Sequence, residues 1–256
     1  MVRGMRGTRG LGVAGVALAA MLALPTLGAA QYNDYNNDFD DYDDPQDWGP
    51  PKGEFFLFGT VAVPVGEFQS FVDLGGGGGL GGLVFLTPNR SLAMRLEGTF
   101  VVYGTDSFTT PLSPTVPFVD VDVRTTNYIA SMGVGPQVYL GTGAIRPYVF
   151  GTAGFSYFAT QTSVSGTEEI ESFASTTNFD DFTFALGGGG GMSVALSQGE
   201  NPVSLDLSAS YQRNGLTEYL TEGDLFELPG GGWGVDPVLS ETNLMTYRVG
   251  VSIGVR

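Results

Sequence analysis

From Glu54 onward, apolar and polar positions alternate with a period of two. In the last segment Met245, Tyr247, Val249, Val251, Ile253 and Val255 alternate with Thr246, Arg248, Gly250, Ser252 and Gly254. Val203, Leu205, Leu207, Ala209 and Tyr211 alternate in the same way with Ser204, Asp206, Ser208, Ser210 and Gln212. Leu92, Met94, Leu96, Gly98, Phe100 and Val102 alternate with Ala93, Arg95, Glu97, Thr99, Val101 and Tyr103. Successive side chains of an extended chain point to opposite faces, so each segment predicts a strand with one apolar face and one small or polar face. Glu54–Pro64, Gly78–Thr87, Asn127–Leu140, Ile145–Thr160 and Phe182–Ser197 also read as strands, with glycines and aromatics on both faces weakening the alternation. The count is about eight, each long enough to cross a membrane when tilted.

The connections alternate in length. Val65–Gly77, Gly104–Thr126, Gln161–Asp181 and Asn214–Thr242 are long, whereas Pro88–Arg90, Gly141–Ala144 and Gln198–Pro202 are short. A soluble sandwich or lipocalin-like barrel shares the period of two but has no reason for this alternation, and its apolar face would turn inward. A transmembrane barrel has short periplasmic turns and long extracellular loops. The expected fold is therefore all-β: a closed antiparallel transmembrane barrel of about eight strands. Its interior face would carry Arg95, Glu97, Asp206 and Arg248, with Arg146 as a further candidate. Aromatic rings near strand ends favour the membrane interface, which places Tyr103, Tyr128, Tyr211, Tyr247 and Phe100 there.

The N-terminal segment reads differently. Arg3, Arg6 and Arg9 precede an apolar stretch from Leu11 to Leu24, followed by Pro25 and the small residues Gly28, Ala29 and Ala30. This is the pattern of a cleaved secretory signal peptide over residues 1–30, with Gln31 the first mature residue. Residues 31–53 are rich in Asn, Asp and Pro, whose mutual repulsion and chain-breaking predict a disordered tether. Divalent-cation binding is the sharper alternative there, but the spacing lacks the Gly and closing Glu of a Ca²⁺ loop. Residues 54–256 form the barrel domain.

Charge and missing residue types narrow the chemistry. The chain has 11 Lys+Arg against 27 Asp+Glu, and the leader removes three of the arginines, so the exported part is more acidic still. Such a surface repels nucleic acid. There are no cysteines and no histidines, which removes disulfides, thiolate metal sites and the commonest general base. Glu168, Glu169 and Glu171, or Asp180 and Asp181, could supply a carboxylate pair, but they read more simply as solvated loop charges. The glycine runs Gly75–Gly79, Gly187–Gly191 and Gly230–Gly232 lack the Lys-Ser/Thr of a phosphate loop. They suit places where strands curve or backbones approach closely. No catalytic, cofactor-binding or metal-binding residue is assigned, and no cofactor is expected.

Phe55–Gly66 (FFLFGTVAVPVG), Pro88–Gly104 (PNRSLAMRLEGTFVVYG) and Gly135–Phe158 (GPQVYLGTGAIRPYVFGTAGFSYF) resemble the outer-membrane β-barrel domain family of small OmpA-like and OmpW-like barrels. The C-terminus is similar to that family's assembly signal at Arg248, Gly250, Ile253 and Val255, with Arg256 standing where the family has an aromatic. The resemblance implies the outer membrane of a Gram-negative type envelope, with its lipid and its insertion machinery as partners. Such barrels include enzymes, but those rely on a histidine with a Ser or Asp partner, and this chain has no histidine, so a non-enzymatic structural or surface-interaction role is expected. The alternative is a narrow channel for a small or hydrophobic solute, its mouth lined by loop aromatics such as Phe108, Phe118, Phe173, Phe179 and Trp233. The interior charges are expected to pair and plug the lumen; a gate that opens when the pairs exchange is the other reading.

Overall fold

Alternation sets the strands. In the computed structural model they run as β1 (Gly53–Pro64), β2 (Gly75–Phe85), β3 (Leu92–Ser113), β4 (Val116–Tyr139), β5 (Ile145–Gly166), β6 (Ser172–Ala195) and β7 (Val203–Asn214). The short β8 (Leu216–Tyr219), β9 (Leu225–Glu227), β10 (Trp233–Val235) and β11 (Val238–Glu241) follow, then β12 (Leu244–Val255). The structure describes residues 50–113, 116–166, 172–221, 224–227 and 233–256. The expected leader, all of the acidic tether before Pro50, Glu168, Glu169, Glu171 and Gly230–Gly232 lie outside the described residues.

Strands β1–β7 and β12 form a closed antiparallel barrel in the order β1-β12-β7-β6-β5-β4-β3-β2. The ring is sealed by β1 and β12, paired from Gly53 opposite Val255 to Pro64 opposite Leu244. Closure leaves no unpaired sheet edge inside the ring. One rim, here the lower, holds the short turns and the start of β1; the upper rim holds the long hairpins and a 3₁₀ turn at Phe68–Ser70.

Two segments expected as loops, Gly104–Thr126 and Gln161–Asp181, are largely strand. β3 and β4 stay paired past Thr110 opposite Val121, and β5 and β6 past Gln161 opposite Thr177, with bulges at Val102/Gly104 and Thr160/Gln161. The result is a four-stranded wall standing on one side of the upper rim. Thr, Ser and Val favour extended backbone, but the outward apolar stripe ends here, which is why the sequence pattern resembles loop. Polar pairs take over on both faces: outside, the Thr109 hydroxyl donates to Asp122 at 2.6 Å, and on the other face Asn178 donates to Thr162 at 2.6 Å.

The barrel is inside-out relative to a soluble one. Outward side chains are apolar on every strand of the belt, with Leu57, Val84, Phe184 and Tyr247 each more than half exposed. The interior carries the charge: Arg95, Glu97 and Arg248 are 3%, 7% and 5% exposed. Tyr128, Tyr157 and Phe100 form a continuous outward ring patch just below the wall, with centroids 5.0 Å and 6.4 Å apart. Tyr211 and Tyr247 also face outward. Tyr103 does not: it is buried in the lumen, because its strand position shares the face of Arg95 and Glu97 rather than that of Phe100.

The glycine runs sit in β2 and β6, and their inward members make room. A Cβ at Gly79 or Gly81 would strike the ring of Phe58 or Phe56 as well as the Gly98 or Leu96 carbonyl, and one at Gly191 would lie 2.5 Å from the Leu207 carbonyl and 2.8 Å from the Tyr148 hydroxyl. Backbone approach is the other cause: a Cβ at Gly154 would run into the Met132 carbonyl. These two causes give different outcomes on mutation. At Gly187 the sole tight neighbour is Thr152 Oγ1, at 2.5 Å. Gly187→Ala should cost about 1–3 kcal/mol by overpacking and be largely rescued by Thr152→Ala. Gly154→Ala should cost at least as much with no side-chain rescue. Denaturant unfolding of the single and double variants measures this; failure of Thr152→Ala to rescue would remove the steric account.

Candidate functional site: the barrel lumen

Inward residues stack in layers from the lower rim upward. At the bottom, Glu54 of β1 faces Arg146 of β5 at 3.5 Å and accepts a hydrogen bond from the Tyr139 hydroxyl at 3.3 Å. Arg146 also donates to the Arg90 carbonyl at 3.0 Å and lies 3.8 Å over the Tyr139 ring. Above them Phe56, Phe58, Leu83, Ala93, Tyr139, Tyr148 and Phe150 form an apolar cluster. The Tyr148 hydroxyl reaches both carboxylate oxygens of Asp206, 2.8 Å from each.

The middle layer is the charge cluster. Arg95 Nε donates to Glu97 Oε2 at 2.7 Å, and Arg248 Nη1 donates to the same oxygen at 2.9 Å from across the barrel. Arg95 Nη1 also donates to Gln137 Oε1 at 2.7 Å. The Arg95 guanidinium lies 4.3 Å from the ring centre of Phe56 and 4.5 Å from that of Phe150; Arg248 lies 4.8 Å from Phe58. Planar guanidinium groups suit this pairing, since hydrogen bonds run in their plane while the faces stack on rings.

Three of the four lumen charges expected from the sequence therefore meet. Asp206 does not join them. It pairs with Gly250 in the β7–β12 register, one inward step below Arg248, whereas Arg248 bonds Glu97. Asp206 takes its hydrogen bonds from Tyr148 instead. Arg146 likewise belongs to the lower rim. Glu54, Gln137, Tyr139 and Tyr148 are site residues that alternation alone did not single out. Their signal was present: an isolated carboxylate at the start of β1, and polar groups on the inward face of β4 and β5. Among the described lumen residues the charges balance, with Arg95, Arg146 and Arg248 against Glu54, Glu97 and Asp206. Balance of this kind is what a buried set needs, because an uncompensated charge in a low-dielectric interior is costly.

Over the cluster lies a cavity of about 20 Å³ lined by Glu97, Thr99, Ser131, Thr152 and Gln212 among others, room for about one water. A hydrogen-bonded polar layer follows: Gln212 donates to Ser156 at 2.8 Å and to Asn214 at 3.0 Å, and Asn214 Nδ2 donates to the Thr242 carbonyl at 2.6 Å. The upper rim is then capped by an apolar cluster including Ala62, Phe68, Tyr103, Ile129, Phe158 and Tyr219. Phe68 is fully buried at its centre, edge-on to Tyr219 at 5.0 Å and to Tyr103 at 5.7 Å. Burial in this cap pushes the Tyr219 phenol above its ordinary pKa.

The residues of the expected assembly signal split between faces. Arg248 and Gly250 point into the lumen, Gly250 against Phe58, while Ile253 and Val255 are half exposed on the outer belt. The loop aromatics Phe108, Phe118, Phe173 and Trp233 have side chains outside the described residues; Phe179 lies in β6, partly buried.

No protein-family model and no curated protein sequence matches the chain. Among solved structures, the chain is similar to Neisserial surface protein A at 13% identity, covering 81% of this chain and 98% of that one with a TM-score of 0.45. It is similar to a major outer membrane protein of Thermus thermophilus at 12% identity, 78% and 98% coverage and a TM-score of 0.39. It is also similar to Ail, the attachment invasion locus protein of Yersinia pestis, at 14% identity, 78% and 97% coverage and a TM-score of 0.37.

Proposed function

We propose that the protein is a non-enzymatic outer-membrane barrel with a closed lumen, serving a structural or surface-interaction role. The observation that carries this is the inversion of polarity: an unbroken apolar belt outside, with ion pairs and hydrogen-bonded polar groups inside. A surface of exposed leucines, valines and phenylalanines on all eight barrel strands is stable in lipid and aggregation-prone in water. The lumen layers are packed side chain against side chain, which favours a plug over a pore. The wall and hairpins of the upper rim are the parts that a surface partner would meet. Outer-membrane lipid and the insertion machinery are the partners this reading requires.

The narrow-channel reading draws on one observation, the small polar cavity above Glu97. It has room for about one water, and elsewhere in the lumen Arg95 is held against Phe56 and Phe150 while Phe68 fills the upper cap. Reconstituted into planar bilayers, the refolded protein should give no conductance steps above the bare membrane. Reproducible steps in the unmodified protein would replace the plug by a channel. Fractionation with outer membranes and a heat-dependent gel shift test the location; recovery as a soluble protein without that shift would overturn the membrane reading itself.

A further inference from the structure

The hairpin of β8 and β11 continues β7 and β12 upward and has two different faces. Leu216 pairs with Glu241 and Leu239 with Glu218, so the two leucines are diagonal neighbours on one face. The opposite face is filled: Tyr219 and Thr217 are buried over the barrel mouth, and the Tyr219 and Ser240 hydroxyls hydrogen-bond at 2.9 Å. Leu216 and Leu239, by contrast, are 64% and 59% exposed. Below them the outward belt ends in Tyr211 on β7 and its partner Met245 on β12, with Tyr247 one outward step further down. The same face carries Glu218, Glu241 and Arg213, the last 3.9 Å from Glu241. Mixed leucine and charge, continuous with an apolar belt, is the chemistry of a headgroup boundary rather than of open water.

We infer that the outward face of this hairpin is a lipid-contact surface, with Leu216 and Leu239 seated at the boundary between headgroups and acyl chains. The four-stranded wall adjoins the hairpin at β6, where the Glu218 N–H donates to Asp181 Oδ2 at 2.8 Å, but stands in water, because its outward positions on β3–β5 are Thr, Ser, Asp, Arg and Gln. The inference rests on the membrane reading above and adds to it a fixed orientation of the loops: the β8–β11 side of the upper rim lies on the bilayer and the wall beside it rises from it.

The chain has no cysteine, so single labels are clean. A polarity-sensitive fluorophore is attached to Leu239→Cys, to Leu96→Cys on the belt and to Thr109→Cys on the wall. Each variant is refolded into phosphatidylcholine vesicles containing a lipid with a nitroxide near the head of one acyl chain. The Leu239 label should be quenched at least about half as strongly as the Leu96 label and emit to the blue of the Thr109 label, which should be barely quenched. Leu216→Cys, on the adjacent strand, should behave like Leu239→Cys. If the Leu96 label is quenched and the Leu239 and Leu216 labels match Thr109, the hairpin inference fails while the membrane reading stands. If the Leu96 label is not quenched either, the membrane reading fails with it. Shielding of the Leu239 label without lipid quenching, together with disulfide-linked dimers of Leu239→Cys, would assign the face to a second copy of the chain instead.

Discussion

Replacing Glu97 with alanine is expected to lower the unfolding free energy by about 3–5 kcal/mol, because it strands two buried guanidinium groups at once. Glu97 Oε2 is the shared acceptor of Arg95 and Arg248, and all three side chains are nearly inaccessible. Arg248→Ala should cost less, since Glu97 keeps Arg95 and Arg95 keeps Gln137. The double variant should lose less than the sum of the two singles by about 1–3 kcal/mol. Denaturant unfolding of the refolded barrel, followed by the heat-dependent gel shift, gives all three values. Strict additivity would mean that Glu97 and Arg248 do not meet. Coupling accompanied by conductance steps in the single variants would turn the plug into a gate.

Phe68→Ala should have an effect of similar size with a different signature. A fully buried ring edge-on to Tyr219 and Tyr103 and near Phe158 contributes about 3–5 kcal/mol relative to alanine. Apart from that ring, the segment from Val65 to Leu74 is held by Val72, buried in the same cluster, by Phe71 edge-on to Tyr219 at 6.4 Å, and by two hydrogen bonds, Val65 N–H to the Asn243 carbonyl at 3.0 Å and Glu241 N–H to Glu67 Oε2 at 3.3 Å, all of them at the upper rim. The loss should therefore appear as local opening. Proteolysis and amide exchange in this segment should rise by orders of magnitude while the barrel keeps its gel shift. Phe68→Leu should restore most of the protection. Conductance should stay absent, since the Arg95 layer lies below. Unchanged protection in Phe68→Ala would show that the ring does not fasten the loop.

The barrel was legible in the sequence because β3, β7 and β12 alternate cleanly and the polar face of each is the small one. The wall was not legible: once the chain leaves the belt, its outward residues become Thr, Ser and Asp, and the apolar half of the signal disappears although the strands continue. Of the charge cluster, Arg95, Glu97 and Arg248 followed from parity alone. Parity gives the face but not the height. Asp206 shares the lumen face with them, yet the register sets it lower, beside Tyr148. Tyr103 shows the same limit from the other side. Its place near a strand end suggested the membrane interface, while its parity put it under Phe68. The inward glycines were recognisable as positions of low bulk, but the rings they accommodate, Phe56 and Phe58, come from a neighbouring strand that only the closed barrel brings opposite.

The seam between β1 and β12 makes the ring cyclic in a way that the linear chain is not. Gly53 and Val255 are direct partners, so the ends of the barrel lie side by side at the lower rim, on the same edge as the short turns. In hydrogen-bonding terms this seam is equivalent to every other neighbour pair in the sheet, differing only in having no covalent turn across it. A short linker from β12 to β1, with new termini opened in one of the existing turns, would describe the same ring with a circularly permuted order. Domains whose termini are close commonly accept such rearrangement. The lumen layers draw on inward residues from strands all around the ring and require none to be first or last, so they would be indifferent to where the chain is made to begin.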